Sequence, residues 1–152
     1  KEYITYRNAL LISGAIALLF FAFFPVAPPR FVPEFGFVDT IQQRSYSKSV
    51  LLPSGLANKY AAVPSLHVGW NLLMAIAVVR HARSWTFKLF GATLPILMTS
   101  SVVLTGNHYI IDAVIGDIVA LIGLALAVYV FTGNRKRERP RERPPEYAMP
   151  SS

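Results

Sequence analysis

The sequence predicts an all-α membrane protein, a polytopic helical bundle with four transmembrane helices. Three observations carry that expectation. The 152-residue chain is 53% apolar and only 15% charged, whereas an ordinary soluble domain has about 25% charged residues. Four stretches lack Asp, Glu, Lys and Arg altogether: 8–29, 60–79, 89–107 and 118–134. Each is close to the roughly 20 residues that cross a hydrocarbon core of about 30 Å. The basic residues behind the net charge of +7 lie in segments flanking those stretches, which points to membrane flanks and away from a nucleic-acid partner.

The first helix is expected at about 8–28. It is not a signal peptide: Lys1-Glu2-Tyr3 is the wrong n-region, the apolar run is too long, and no small-residue cleavage site closes it. Pro25, Pro28, Pro29 and Pro33 then keep the chain non-helical. The connection 29–62 is long for a simple loop and reads as a lid on the outer interface. Within it Thr40-Ile41-Gln42-Gln43 resembles a capping box, starting a short helix toward Val50 that Pro53 and Gly55 break. The second helix is expected at 65–81, the third at 85–104 and the fourth at 108–132. The membrane-embedded bundle thus occupies 1–132. The Arg-, Glu- and Pro-rich tail 133–152 cannot bury enough apolar surface to fold and is expected to be disordered. The chain has no cysteine, so disulfides and thiolate metal sites are excluded.

Charge also sets the topology. Lys1, Arg7, Arg80, Arg83 and Lys88, with the six basic residues between Arg135 and Arg143, place eleven of fifteen Lys and Arg on one side. The positive-inside rule makes that side cytoplasmic. The other face carries two polar interruptions: Pro64-Ser65-Leu66-His67 and Thr105-Gly106-Asn107-His108, with Asp112 one turn further on. Trp85 and Tyr129 near the inner boundary, and Tyr60 and Tyr109 near the outer one, suit interfacial belts.

Ionisable groups in a hydrophobic segment are costly, so they suggest a functional site. Ser65 and Asn107 read as N-caps of the second and fourth helices, which would put His67 and His108 in first turns, where unpaired N–H groups and the helix dipole favour phosphate. At i+4, Asp112 can reach the His108 ring. A carboxylate on one ring nitrogen leaves the other free to attack. A second histidine can protonate a departing alkoxide. Together these suit phosphoryl transfer through a phosphohistidine. Three other readings stand beside it: hydrogen-bonded packing histidines, a metal site of two His and one Asp, and a proton relay through His67, His108 and Asp112 in a small transporter or channel subunit. Asp117, about 140° around the helix from Asp112, reads as an interhelical hydrogen-bonding residue. Trp70 and Asn71 read as packing residues, Gly116 and Gly123 as close-approach positions, and His81 as part of a cytoplasmic turn.

Ala61-Ala62-Val63-Pro64-Ser65-Leu66-His67 and His108-Tyr109-Ile110-Ile111-Asp112 resemble two motifs of the type 2 phosphatidic acid phosphatase superfamily. The form with Leu before His is most similar to the inositol phosphorylceramide synthase-like branch. The resemblance covers about 59–120. It implies a six-helix bundle, so two N-terminal helices are expected to lie outside this chain, which begins without an initiator methionine. It also implies His108 as nucleophile, Asp112 as its orienter and His67 as general acid, with no metal or cofactor. The substrate would be a phospholipid in the bilayer, and the phosphoryl or phospho-headgroup would pass to an inositol- or polyol-type alcohol or to water. Ser65, Leu66 and Asn107 would lie against the substrate. Val102 stands where the family carries an Arg, and no clear copy of the first motif is present. The cation that holds the phosphate is therefore sought among Arg30, Lys59, Lys48 and Arg44.

Overall fold

The computed structural model describes residues 2–38 and 60–137. Those residues contain four α-helices: α1 (Glu2–Phe23), α2 (Leu66–His81), α3 (Trp85–Leu104) and α4 (Ile110–Arg137). Two single 3₁₀ turns, Pro29–Phe31 and Pro33–Phe35, follow α1. Among the described residues there is no strand, only an isolated parallel bridge between Val26 and Ala61. Its hydrogen bonds, Val26 N–H to Tyr60 O and Ala62 N–H to Val26 O, tie the two ends of the long connection together. The middle of that connection, with the expected helix from Thr40 to Val50 and with Arg44, Lys48 and Lys59, lies outside the described residues, as does the tail beyond Arg137.

The expected boundaries of α2 and α3 agree with the structure to within a residue. Those of α1 and α4 need correction. α1 ends at Phe23 rather than near 28, because Pro25 disfavours helical geometry at the residue before it. It begins at Glu2, since nothing in Tyr3–Arg7 breaks a helix. α4 begins at Ile110 rather than 108 and continues through Gly133 to Arg137. Arg and Lys are good helix formers, so the helix runs three residues past the uncharged stretch that ends at Asn134.

Among the described residues three helices are long and apolar enough to cross a membrane: Glu2–Phe23, Trp85–Leu104 and Ile110–Val130. α2 has 16 residues, about 24 Å at 1.5 Å per residue. α4 is central, packing on α1 along one face and on α2 along another, while α3 lies mainly against α2. The interhelical core is small and apolar: Ala9, Leu73, Ala120 and Ala127 form one cluster, and Val68, Val102 and Ala113 another. The outward faces remain apolar and exposed, with Leu18, Phe90, Leu121 and Tyr129 among them. Such apolar outer faces suit a hydrocarbon surround.

Small residues set the crossing points. A Cβ on Gly116 would lie 2.2 Å from the Ser65 carbonyl oxygen, and one on Gly69 would lie 2.3 Å from the Gly116 carbonyl oxygen. α2 and α4 therefore touch backbone to backbone. Gly123 does the same for α1, with a Cβ position 2.7 Å from Ala9 O. The close-approach reading of Gly116 and Gly123 agrees with this packing.

Candidate active site

The α2–α4 crossing positions both histidines. Ser65 N–H donates to Asp112 O at 3.0 Å, so the first residue before α2 is fixed against the first turn of α4. His67 sits at the second position of α2, within its first turn as expected. Its ring centroid is 5.9 Å from that of His108, the planes inclined by 55°.

His108 arrives by a different route from the one the sequence suggests. Gly106 has φ +65°, the left-handed conformation that ends helices. Gly106 N–H donates to Val103 O and Asn107 N–H to Val102 O, the paired bonds of a Schellman motif. Asn107 therefore closes α3 and does not cap α4. His108 N–H also donates to Val102 O, leaving His108 two residues before α4.

The cap of α4 comes from Asp112. Its Oδ2 accepts the Tyr109 N–H at 2.8 Å, half of a capping box in which a third-position side chain reaches back to the N-cap amide. The same Oδ2 lies 3.6 Å from His108 Nδ1. The nearer partner of Nδ1 is the Ala62 carbonyl oxygen, at 2.7 Å. A carbonyl only accepts, so Nδ1 carries the proton and the neutral ring presents its lone pair at Nε2. His108 is held below the ordinary histidine pKa of 6.5 chiefly by burial, with its bond to Ala62 and the Asp112 carboxyl opposing that shift and His67 adding to it. Asp112 is fully buried, and its second oxygen has no hydrogen-bond partner among the described residues.

Both histidines line a cavity of about 490 Å³ with Pro28, Arg30, Met98, Ser101, Thr105 and Asn107. Arg30 enters from the loop after α1. Its N–H donates to Gly106 O at 2.9 Å, and its Nη1 donates to Asn107 Oδ1. Asn107 Nδ2 in turn donates to Thr105 Oγ1 at 2.6 Å. Of the cations proposed from sequence, Arg30 is the one within the described residues, and it lies beside the histidines. Val102, where an Arg was sought, is a buried wall residue whose carbonyl receives the α3 closing bonds.

Other expectations need adjustment. Ser65 occupies the N-cap position of α2 but makes no side-chain cap bond. It is enclosed at the α2–α4 contact, and its hydroxyl has no partner among the described residues. Neither Ser65 nor Leu66 lines the histidine cavity; Leu66 lines the neighbouring groove. Trp70 packs as expected, its Nε1–H donating to Ser13 Oγ of α1 at 3.2 Å. The interhelical hydrogen bond expected of Asp117 is not made by its buried Oδ1 among the described residues. His81 pairs with Glu2 at 2.7 Å, with both side chains largely exposed.

Ala62, Thr105 and Gly106 stand inside the two motifs but carried no expected part in the site, and Ser101 had no signal at all. The Thr105-Gly106 step was the available signal, since Gly after an apolar helix marks its end. A backbone acceptor such as Ala62 O leaves no side-chain signature at all.

The profile of the PAP2 superfamily matches residues 1–126. The chain is 24% identical, over 144 aligned positions, to the phosphoinositol dihydroceramide synthase of Bacteroides thetaiotaomicron. That alignment covers 81% of this chain and 45% of the relative, so the chain spans less than half the relative's length. No solved structure matches it.

Proposed function

The chain belongs to the PAP2 superfamily, and on that footing we propose that it is an integral membrane lipid phosphotransferase working through a phosphohistidine on His108. The observation that carries this is the Nδ1–H bond to Ala62 O, which leaves Nε2 of a buried, neutral imidazole free in a cavity shared with His67 and Arg30. Nε2 attacks phosphorus, and the P–O bond to the first alcohol breaks. His67 donates the proton that alcohol needs. A second alcohol, or water, then gives its proton to His67 as its oxygen bonds to phosphorus and the P–N bond breaks. Arg30, braced by Asn107, neutralises charge on the phosphoryl oxygens. Asp112 orients the His108 segment through the Tyr109 amide, and its carboxyl supports positive charge developing on the ring.

Likeness to a phosphoinositol dihydroceramide synthase favours transfer between alcohols over simple hydrolysis, with a polyol and a sphingoid lipid as the alcohols flanking phosphorus. We take all four helices to span the bilayer, α2 being the short one that packs against the other three. The basic flanks at Arg7, Arg80 and Arg83 lie at the opposite end from the histidines, which favours an extracytoplasmic site.

The test is incubation in bilayer nanodiscs with phospholipid donors, with and without alcohol acceptors, and resolution of the products by mass spectrometry. His108→Ala is expected to lower transfer on the order of 10³-fold or more while retaining the folded bundle. Full turnover in that variant would overturn the assignment.

A further inference from the structure

The bracing of Arg30 does not end at Asn107. The guanidinium lies over the ring of Phe31, 4.9 Å from its centroid, and its Nη1 donates to Asn107 Oδ1. A guanidinium only donates, so Asn107 must turn its carbonyl end to Arg30 and point its Nδ2 elsewhere. Nδ2 meets Thr105 Oγ1 at 2.6 Å. That hydroxyl has a single proton, directed at Ser101 O at 2.7 Å, which leaves a lone pair for the Asn107 amide. Each hydrogen bond in the series from Arg30 through Asn107 and Thr105 to Ser101 therefore has a fixed sense, and the series ends on the backbone of α3. A threonine in the last turn of a helix commonly bonds the carbonyl four residues back. Here the same oxygen also receives the side chain that holds a cation, and Arg30, Asn107 and Thr105 all line the cavity of the histidines.

We propose that Thr105 is a positioning residue for phosphate binding: it fixes which way the Asn107 amide faces, and through that amide holds the Arg30 guanidinium at the phosphoryl site. The inference rests on the reading of Arg30 as the group that neutralises phosphoryl charge. Position 102 on α3 carries Val, so the cation reaches the cavity from the loop after α1. The Arg30 N–H bond to Gly106 O locates its backbone but leaves a long, rotamer-rich side chain to be ordered. The contact with Asn107 ties that side chain to the end of α3, provided the amide keeps its orientation. Turned over, Asn107 would present Nδ2 to Arg30, donor against donor. Thr105 disfavours that state, because its proton is already committed to Ser101 O and its lone pair would then face Oδ1, acceptor against acceptor. Thr105 thus acts on phosphate through Asn107 and Arg30.

The test uses the full chain in nanodiscs, with inorganic phosphate as the probe, its affinity measured by calorimetry beside kcat/KM for transfer. Thr105→Val preserves the shape of the side chain and removes the hydroxyl, while the Thr105 N–H bond to Ser101 O, at 3.1 Å, does not depend on it. This variant is expected to bind phosphate about fivefold more weakly and to lose kcat/KM by a similar factor. Thr105→Ser, which keeps the hydroxyl, should stay within about twofold of native. In an Arg30→Ala background, Thr105→Val should cost almost nothing more, because both residues act through one contact. The acid limb of kcat/KM, set by His108, should not move in Thr105→Val. Equal cost of Thr105→Val in both backgrounds, failure of serine to substitute, or a displaced acid limb would overturn the proposal, as would phosphate affinity indifferent to Arg30→Ala. Coupled loss of phosphate binding in a native chain that performs no phosphotransfer would uphold the role of Thr105 and sink the proposed reaction. Transfer with independent effects of Thr105 and Arg30 would leave the reaction standing and remove Thr105.

Discussion

His108 Nδ1 faces two acceptors, and the nearer one is backbone. The sequence placed Asp112 against His108 by i+4 spacing, and the two do lie 3.6 Å apart. The tautomer, however, is set by Ala62 O at 2.7 Å, a partner 46 residues away that no side-chain pattern announces. Asp112 instead spends its Oδ2 on the Tyr109 amide, so its orienting effect passes through the backbone as well as through space. Burial is the main cause holding His108 below pKa 6.5, and this has a signed consequence. The neutral ring attacks, so activity falls as pH drops through the folded-state value. The acid limb of kcat/KM is expected below pH 6.5, measured across a pH series in nanodiscs. A limb at or above 6.5 would contradict the buried, neutral nucleophile. Stability moves the same way: the His108 contribution is complete above 6.5 and is lost as pH falls toward the lowered value, because the unfolded chain binds the proton more readily.

Arg30 belongs to the same scale. Position 102 carries no Arg, and among the described residues Arg30 is the cation that lines the cavity of the histidines. Arg30→Ala is expected to lower kcat/KM by about 10²- to 10³-fold. Arg30→Lys should recover only part of that, because an ammonium does not reproduce the two-pronged guanidinium contact. An Arg30→Ala enzyme within a fewfold of native kcat/KM would remove Arg30 from the site.

At the level of elements, helix existence and order were legible because long uncharged runs and prolines are strong signals. Ends were less so. From sequence Asn107 reads as the N-cap of the fourth helix, but Gly106 in the left-handed conformation makes Asn107 part of the stop of α3. Both readings bring His108 near a helix N-terminus; only the second explains why its amide is spent on Val102 O. The α2–α4 crossing is where packing becomes site geometry. Gly116→Ala would push a methyl against Ser65 O, 2.2 Å away. It is expected to destabilise the bundle by about 1–3 kcal/mol and to lower kcat/KM of the protein that remains folded. Gly123→Ala, at the α1 crossing, should destabilise without that second effect. Thermal unfolding in nanodiscs together with kcat/KM separates the two, and equal behaviour would refute the link between crossing and catalysis.

Over the whole molecule, three long apolar helices and the shorter α2 gather the polar chemistry at one end. Backbone-to-backbone contact of α2 and α4 lets both motifs share one cavity. The motifs and their spacing made the histidine pair legible early. The loop contribution was not, because Pro28-Pro29-Arg30 becomes part of the site only when the chain returns over Gly106. Covalent chemistry at His108 is the claim on which the rest depends. Its most direct test is to mix the native chain with phospholipid donor in the absence of acceptor, quench in alkali, where phosphohistidine survives, and map the adduct by peptide mass spectrometry. The expected result is a phosphoryl or phospho-headgroup adduct on His108 that disappears when acceptor alcohol is added. Continued turnover with the adduct on another residue, or with no adduct under any trapping condition, would contradict it.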